Sequence, residues 1–164
     1  STSRRQRQMC IRDRSSMEIK EVKRNKKQYL SLLLLADEQE NMVDRYLEHG
    51  TMYVLDDKGI KAECVVTDEG NGILEIKNIA TDPDSQRRGY GKALIDFISS
   101  KYQGKYSVLQ AGTGDSPLTV PFYEKCGFSR SHVVENFFTD NYDHPIYEAG
   151  IQLKDMVYLR KKLV

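Results

Sequence analysis

From Met17 to Val22 apolar and polar residues alternate with a period of two, which predicts a strand covered on one face. Lys23 to Lys27 break that pattern. The spacing then shifts toward a helical period, so that Gln28 to Ala36 and Gln39 to Leu47 read as two helices, the second marked by Met42, Val43, Tyr46 and Leu47. Met52 to Leu55 and Ile60 to Thr67 return to strand, joined by Asp56-Asp57-Lys58-Gly59, whose turn chemistry suits a hairpin. A second turn, Asp68 to Gly72, leads into a strand over Ile73 to Ala80, and Thr81-Asp82-Pro83-Asp84 ends it. Helix resumes at Tyr90, where Ala93, Leu94, Phe97 and Ile98 form one apolar face that must pack on a sheet. Val108-Leu109 sit in a further strand, Gly112 to Pro117 reads as a loop, and a short helix around Phe122 to Lys125 stops at Gly127. Phe128 to Phe138 and Met156 to Lys161 complete the chain as two strands around a polar, turn-rich segment.

This order predicts an α/β (α+β) fold: a mixed, mostly antiparallel central sheet of about seven strands flanked by about four helices. The 164 residues, 39% apolar and 30% charged, suit one domain with one core. Ser1 to Ser16 carry no apolar periodicity and read as a disordered or non-native leader, which leaves residues 17–164 for the domain. The formal charge of +1 divides unevenly. Arg4, Arg5, Arg7, Arg12 and Arg14 against Asp13 put +4 in the leader, so the remainder carries −3 and is a poor match for nucleic acid. Cys10, Cys64 and Cys126 make an odd count without CxxC spacing, which points away from a disulfide framework or zinc and toward a reducing cytoplasm. The longest apolar run, Leu32 to Ala36, is far too short to span a bilayer, so no membrane partner is expected. No metal is implied.

The chemistry concentrates in Gln86-Arg87-Arg88-Gly89-Tyr90-Gly91-Lys92-Ala93-Leu94, which follows a strand and opens a helix. Helix starts leave backbone N–H groups without intrahelical partners, and glycines let an anion approach them. A P-loop is excluded because Gln86 stands where its first glycine belongs and Ala93 where its Ser or Thr belongs. A dinucleotide fingerprint is disfavoured by Leu94 in place of its third glycine.

The Gln-x-x-Gly-x-Gly pattern, together with Pro121-Phe122-Tyr123-Glu124-Lys125-Cys126-Gly127-Phe128, strongly resembles the GCN5-related N-acetyltransferase (GNAT) family, and the element order from Met17 to about Lys162 matches it throughout. The resemblance implies acetyl-CoA as co-substrate, its pyrophosphate cradled by Gln86, Arg87, Arg88, Gly89, Tyr90, Gly91 and Lys92. It implies that Ile79, Ala80 and Thr81 present main-chain groups to the pantetheine arm. Ser116 stands where members often carry an asparagine that positions the coenzyme, seven residues before Tyr123.

For catalysis, Glu75, eleven residues ahead of Gln86, matches the general base of histone-modifying members, acting directly or through water, and Tyr123 matches the acid that protonates the leaving thiolate. A thiol-nucleophile role for Cys126 is disfavoured, since no orienting Cys–His arrangement is visible. Tyr142 and His144, in the acidic loop Asp140 to Pro145 and with Glu135 and Glu148 nearby, are expected to face a cationic amine. The expected reaction is direct transfer to a small primary amine in a ternary complex, by a monomer or homodimer. A catalytically silent acyl-CoA-binding or sensing module and a protein (lysine or N-terminal) acetyltransferase stand as alternatives.

Overall fold

The computed structural model describes residues 17–163. The leader reading therefore lies outside the described residues. Nine strands appear in chain order: β1 (Glu18–Val22), β2 (Thr51–Asp56), β3 (Ile60–Asp68), β4 (Ile73–Thr81), β5 (Val108–Gly114), β6 (Ser129–Val134), β7 (Ile146–Glu148), β8 (Ile151–Leu153) and β9 (Met156–Lys162). The helices are α1 (Leu30–Ala36), α2 (Glu40–Val43), α3 (Tyr90–Tyr102), α4 (Val120–Lys125) and α5 (Phe137–Asn141). Seven strands form one sheet in the order β1-β2-β3-β4-β5-β9-β6, and β7 pairs with β8 in a separate hairpin. All pairings in the large sheet are antiparallel except β4 with β5. A single parallel pair requires a crossover, and α3 supplies it.

Alternation in β2, β3 and β4 sends residues to both faces, and both are covered. On one face Leu94, Ile95 and Ile98 of α3 and Tyr123 of α4 pack with Leu55, Cys64, Val66, Leu109 and Leu159. On the other, Leu33 of α1 and Val43, Tyr46 and Leu47 pack with Met52, Val54 and Val65. The two-sided burial explains the nearly continuous apolar run of β3.

Several expected boundaries move for identifiable reasons. Helix over Gln39–Leu47 is confined to α2, because the backbone bonds tighten from Asp44 N–H to Glu40 C=O into Arg45 to Met42 and Tyr46 to Val43, a 3-10-like turn that drops Tyr46 and Leu47 into the core. The Gly112–Pro117 loop is strand as far as Gly114. Its glycines mark close approach: a Cβ on Gly112 would lie 2.9 Å from the Tyr158 ring, and one on Gly114 would lie 2.6 Å from Leu153. The strand expected over Phe128–Phe138 ends at Val134; left-handed Asn136 (φ 57°) turns the chain into α5, the fifth helix. The polar segment that follows holds β7 and β8, whose Ile146 and Leu153 bury Phe138 in a small third cluster. No helix among the described residues is long and apolar enough to cross a membrane.

Candidate active site

β4 and β5 run side by side only from Ile73↔Val108 to Ile76↔Ala111. Beyond that point β5 continues to Gly114 against β9 alone, while β4 continues to Thr81 against β3 alone. The strands diverge, so one edge of β4 from Lys77 to Thr81, including Ile79, Ala80 and Thr81, faces no strand. Main-chain groups on such an edge form a template for an extended, amide-bearing ligand. A bulge in the β3–β4 ladder, where Val65 pairs Asn78 and Val66 pairs Ile76, sits where the divergence begins.

The other end of that edge leads into the glycine segment. Pro83–Ser85 forms a 3-10 turn, Arg87 takes φ 65°, Gly89 takes φ 82° as the residue before α3, and Gln86, Arg87, Arg88 and Gly89 are exposed. The first N–H groups of this 13-residue helix lack intrahelical acceptors and carry its positive end.

The two glycines have different reasons. Gly89 is needed for its backbone conformation, since a Cβ there would meet nothing within 4 Å. Gly91 is needed for packing: a Cβ would lie 3.0 Å from the Phe122 ring of α4, so the two sequence motifs meet physically at this contact. Side chains here are partly committed elsewhere. Tyr90 is buried and its hydroxyl donates to Asp57 in the β2–β3 turn, which raises its pKa, while Lys92 pairs with Asp96 at 2.8 Å. The Arg87 and Arg88 side chains are exposed beside the backbone N–H groups that open α3.

Tyr123 lies on α4 between Phe122, stacked at 5.2 Å, and the edge of Phe128 at 5.4 Å. Burial first, then the neighbouring Cys64, Cys126, Glu63 and Glu148, holds its phenol above the ordinary value, so it keeps its proton. Ser116 is buried; its hydroxyl accepts the Leu118 N–H at 3.1 Å and bonds Glu148 of the hairpin. Cys126 is buried, and its thiol is pushed up by burial, which makes it a poor nucleophile.

Glu75 is only 5% exposed and shares a face with Lys77, whose Nζ lies 2.6 Å from Oε2. The other oxygen accepts from Gln110 Nε2, and Gln110 Oε1 in turn accepts from Arg160 Nε at 2.8 Å. Glu75 therefore stands on the stretch of β4 closed by β5, with both oxygens engaged.

The segment from α5 to β8 folds over the end of α1. Tyr142 donates to Asp37 Oδ1 at 2.7 Å, and Tyr46 donates to Asp37 Oδ2 at 3.2 Å. His144 lies 2.6 Å from Asp143 and 3.5 Å from Glu38, carboxylates that raise its pKa. Asp37 and Glu148 are both raised, chiefly by burial. The fold thus brings Tyr142 and His144 to one wall with Asp37 and Glu38, on the sheet face that Glu75 also occupies. Sequence reasoning did not single out Asp37, Glu63 or Asn78, and it read Tyr46 only as a helix-face residue. The available signal was a lone carboxylate inside the apolar run Ala62 to Val66 and an amide inside Ile76 to Ala80.

The GNAT acetyltransferase domain model matches residues 48–130. An N-acetyltransferase of Bacillus subtilis, YvbK, is 37% identical over 131 residues, covering 78% of this chain and 84% of that protein. A GNAT acetyltransferase from Elizabethkingia anophelis with acetyl-CoA bound superposes with a TM-score of 0.84 at 33% identity, covering 90% of this chain and 98% of that one. A B. subtilis acetyltransferase in complex with CoA does so with a TM-score of 0.82 at 33% identity, covering 90% and 99%. With the diverging strands and the left-handed glycine before α3 suited to the donor that such structures hold, the chain belongs to the GNAT family and is an acetyl-CoA-dependent N-acetyltransferase.

Proposed function

We propose that the enzyme acetylates a small cationic primary amine by direct attack in a ternary complex. The observation that carries this is the carboxyl-rich wall where the α5–β8 segment meets the end of α1: Asp37, Glu38 and Glu148, with the phenols of Tyr46 and Tyr142. Asp37 and Glu148, both raised by burial, gain from a cation brought beside them, which a neutral or anionic acceptor does not supply.

In this reading the Arg87–Lys92 backbone holds the pyrophosphate, and the open edge Ile79–Thr81 aligns the pantetheine arm. Ser116 supports that alignment by bracing the loop after β5. The amine nitrogen bonds to the acetyl carbon as the carbon–sulfur bond breaks, and Tyr123 supplies a proton to the departing sulfur. The amine's own proton passes to a carboxylate on the acceptor face. Glu75 is the candidate named by its position before Gln86, and its service as base runs through water and requires Lys77 or Gln110 to release an oxygen.

The test is thiol release from acetyl-CoA with a panel of diamines, aromatic amines, amino sugars and short peptides. The peptide arm matters because a ribosomal-protein bS18 alanine N-acetyltransferase of Escherichia coli is 26% identical over 113 residues. Small cationic amines should give the highest kcat/KM. A higher value with peptides would assign the enzyme to protein substrates, and thermal stabilisation by acetyl-CoA without thiol release from any amine would mark a binding module.

A further inference from the structure

Glu63 is fully buried in β3, and neither carboxyl oxygen has a hydrogen-bond partner. Buried polar groups are nearly always satisfied, and a lone buried carboxyl is costly, so an orphan of this kind asks for a ligand. The register sets Glu63 beside Val54 of β2 and Ala80 of β4, hence on the face covered by α1 and next to the stretch of β4 that has parted from β5. The neighbouring pair on that face is Val65 with Asn78. Asn78 is 3% exposed, and its Nδ2 donates to the Leu33 carbonyl and to the Tyr46 hydroxyl, both at 2.9 Å. Those bonds fix the amide orientation and leave Asn78 Oδ1 buried without a partner. Three orphan acceptor oxygens therefore lie under α1 where the coenzyme arm is received. Their chemical complement is a group rich in N–H and positive charge.

We propose that Glu63 and Asn78 receive the acceptor's primary amine, Asn78 Oδ1 accepting one N–H bond and Glu63, in place of Glu75, taking the proton that the ammonium must lose before it attacks. The proposal rests on the amine-transfer reading above. An N–H bond breaks and a Glu63 O–H bond forms, leaving a lone pair on nitrogen. That pair bonds the acetyl carbon as the carbon–sulfur bond breaks, sulfur takes the Tyr123 proton, and a second amine proton restores the phenol. Glu63 then returns its proton to solvent, so each turnover of an ammonium releases one proton overall.

The groups around Glu63 suit this part. β2 presents Val54, β4 presents Asn78 and Ala80, and α1 presents Leu33, none of them charged. The titratable groups that sense it are Tyr46, which leads to Asp37, and Tyr123 and Cys64. Burial holds the Glu63 carboxyl of the free enzyme well above the usual range, so the ammonium brought beside it drives its proton to solvent and leaves the ionised form, a strong base, to take one from nitrogen.

The test measures thiol release with benzylamine and putrescine as probes, from about pH 6 to about pH 9, around and below the pKa of free amines. Glu63→Gln should lower kcat/KM for the amine by about 100-fold near neutral pH, with the KM for acetyl-CoA unchanged. The deficit should shrink as pH rises, because solvent then delivers the free amine. Glu63→Asp should recover part of the rate, and it carries the test if the Gln variant does not fold. A wild-type rate and pH profile in Glu63→Gln overturns the proposal while the transfer reading stands. So does a larger loss in Glu75→Gln together with an unshifted profile in Glu63→Gln. Wild type that releases no thiol with either probe overturns the small-amine reading and this role with it.

Discussion

Replacing Glu63 by glutamine should change how stability depends on pH, in a way that isolates this one carboxyl. In the unfolded chain Glu63 titrates near 4.5, whereas in the fold burial keeps it protonated well above that value. Between those two pKa values the unfolded state is ionised and the folded state is not, so folding requires uptake of a proton. Stability from this group is therefore fully present below pH 4.5 and is lost as pH rises toward the folded pKa. The slope is about 1.4 kcal/mol per pH unit. For a chain of this size that corresponds to a Tm falling by about 3–6 °C per unit. Glutamine has no such slope and nearly the same shape. Asp37 and Glu148 are also raised by burial, but they contribute to both proteins and cancel in the difference. Thermal melts of wild type and Glu63→Gln in a series of buffers rising from pH 4.5 should give Tm curves that diverge until the folded carboxyl ionises, wild type losing stability relative to the variant. Parallel curves would refute the reasoning, since they would mean that the carboxyl ionises in the fold as it does in the unfolded chain.

Gly89→Ala introduces no clash but forces alanine to φ 82°, so thermal melts should show a loss of about 1–2 kcal/mol, together with a weaker thermal shift on adding acetyl-CoA. Asp37→Ala takes the acceptor from two phenols at once and should cost about 2–3 kcal/mol in chemical denaturation, against about 1 kcal/mol for Tyr142→Phe, which removes one bond. Tyr123→Phe keeps the stacked ring and removes the proton donor: kcat should fall about 100-fold with little change in Tm, and full turnover across the pH range would remove Tyr123 from the proposed chemistry.

The sheet was legible where a strand is a short apolar run bounded by turns with a strong residue signature. The β2–β3 hairpin, β4 and the start of α3 lie within a residue or two of their expected places, because alternation and glycine conformations are local properties. Gly112 and Gly114 misled for the opposite reason. Alone they resemble loop residues, and only the Tyr158 and Leu153 side chains across from them show that they are strand positions with no room for a Cβ. The α5–β8 segment was equally hidden, since its small cluster is closed by Phe138, Ile146 and Leu153 from three separate elements.

The chain by itself determined the donor side of the enzyme. Anion recognition at a helix start depends on contiguous residues, so the motif from Gln86 to Lys92 could be read along the chain and points to the coenzyme pyrophosphate as its proposed ligand. Only the tertiary structure assembles the groups proposed for the acceptor side. It engaged both oxygens of Glu75, gave Tyr142 and His144 to Asp37 and Glu38, and left the Glu63 carboxyl oxygens and Asn78 Oδ1 buried without partners where β4 leaves β5. The physical reason is that a carboxyl's role is set by its solvation and partners, and those come from strands and helices distant in sequence.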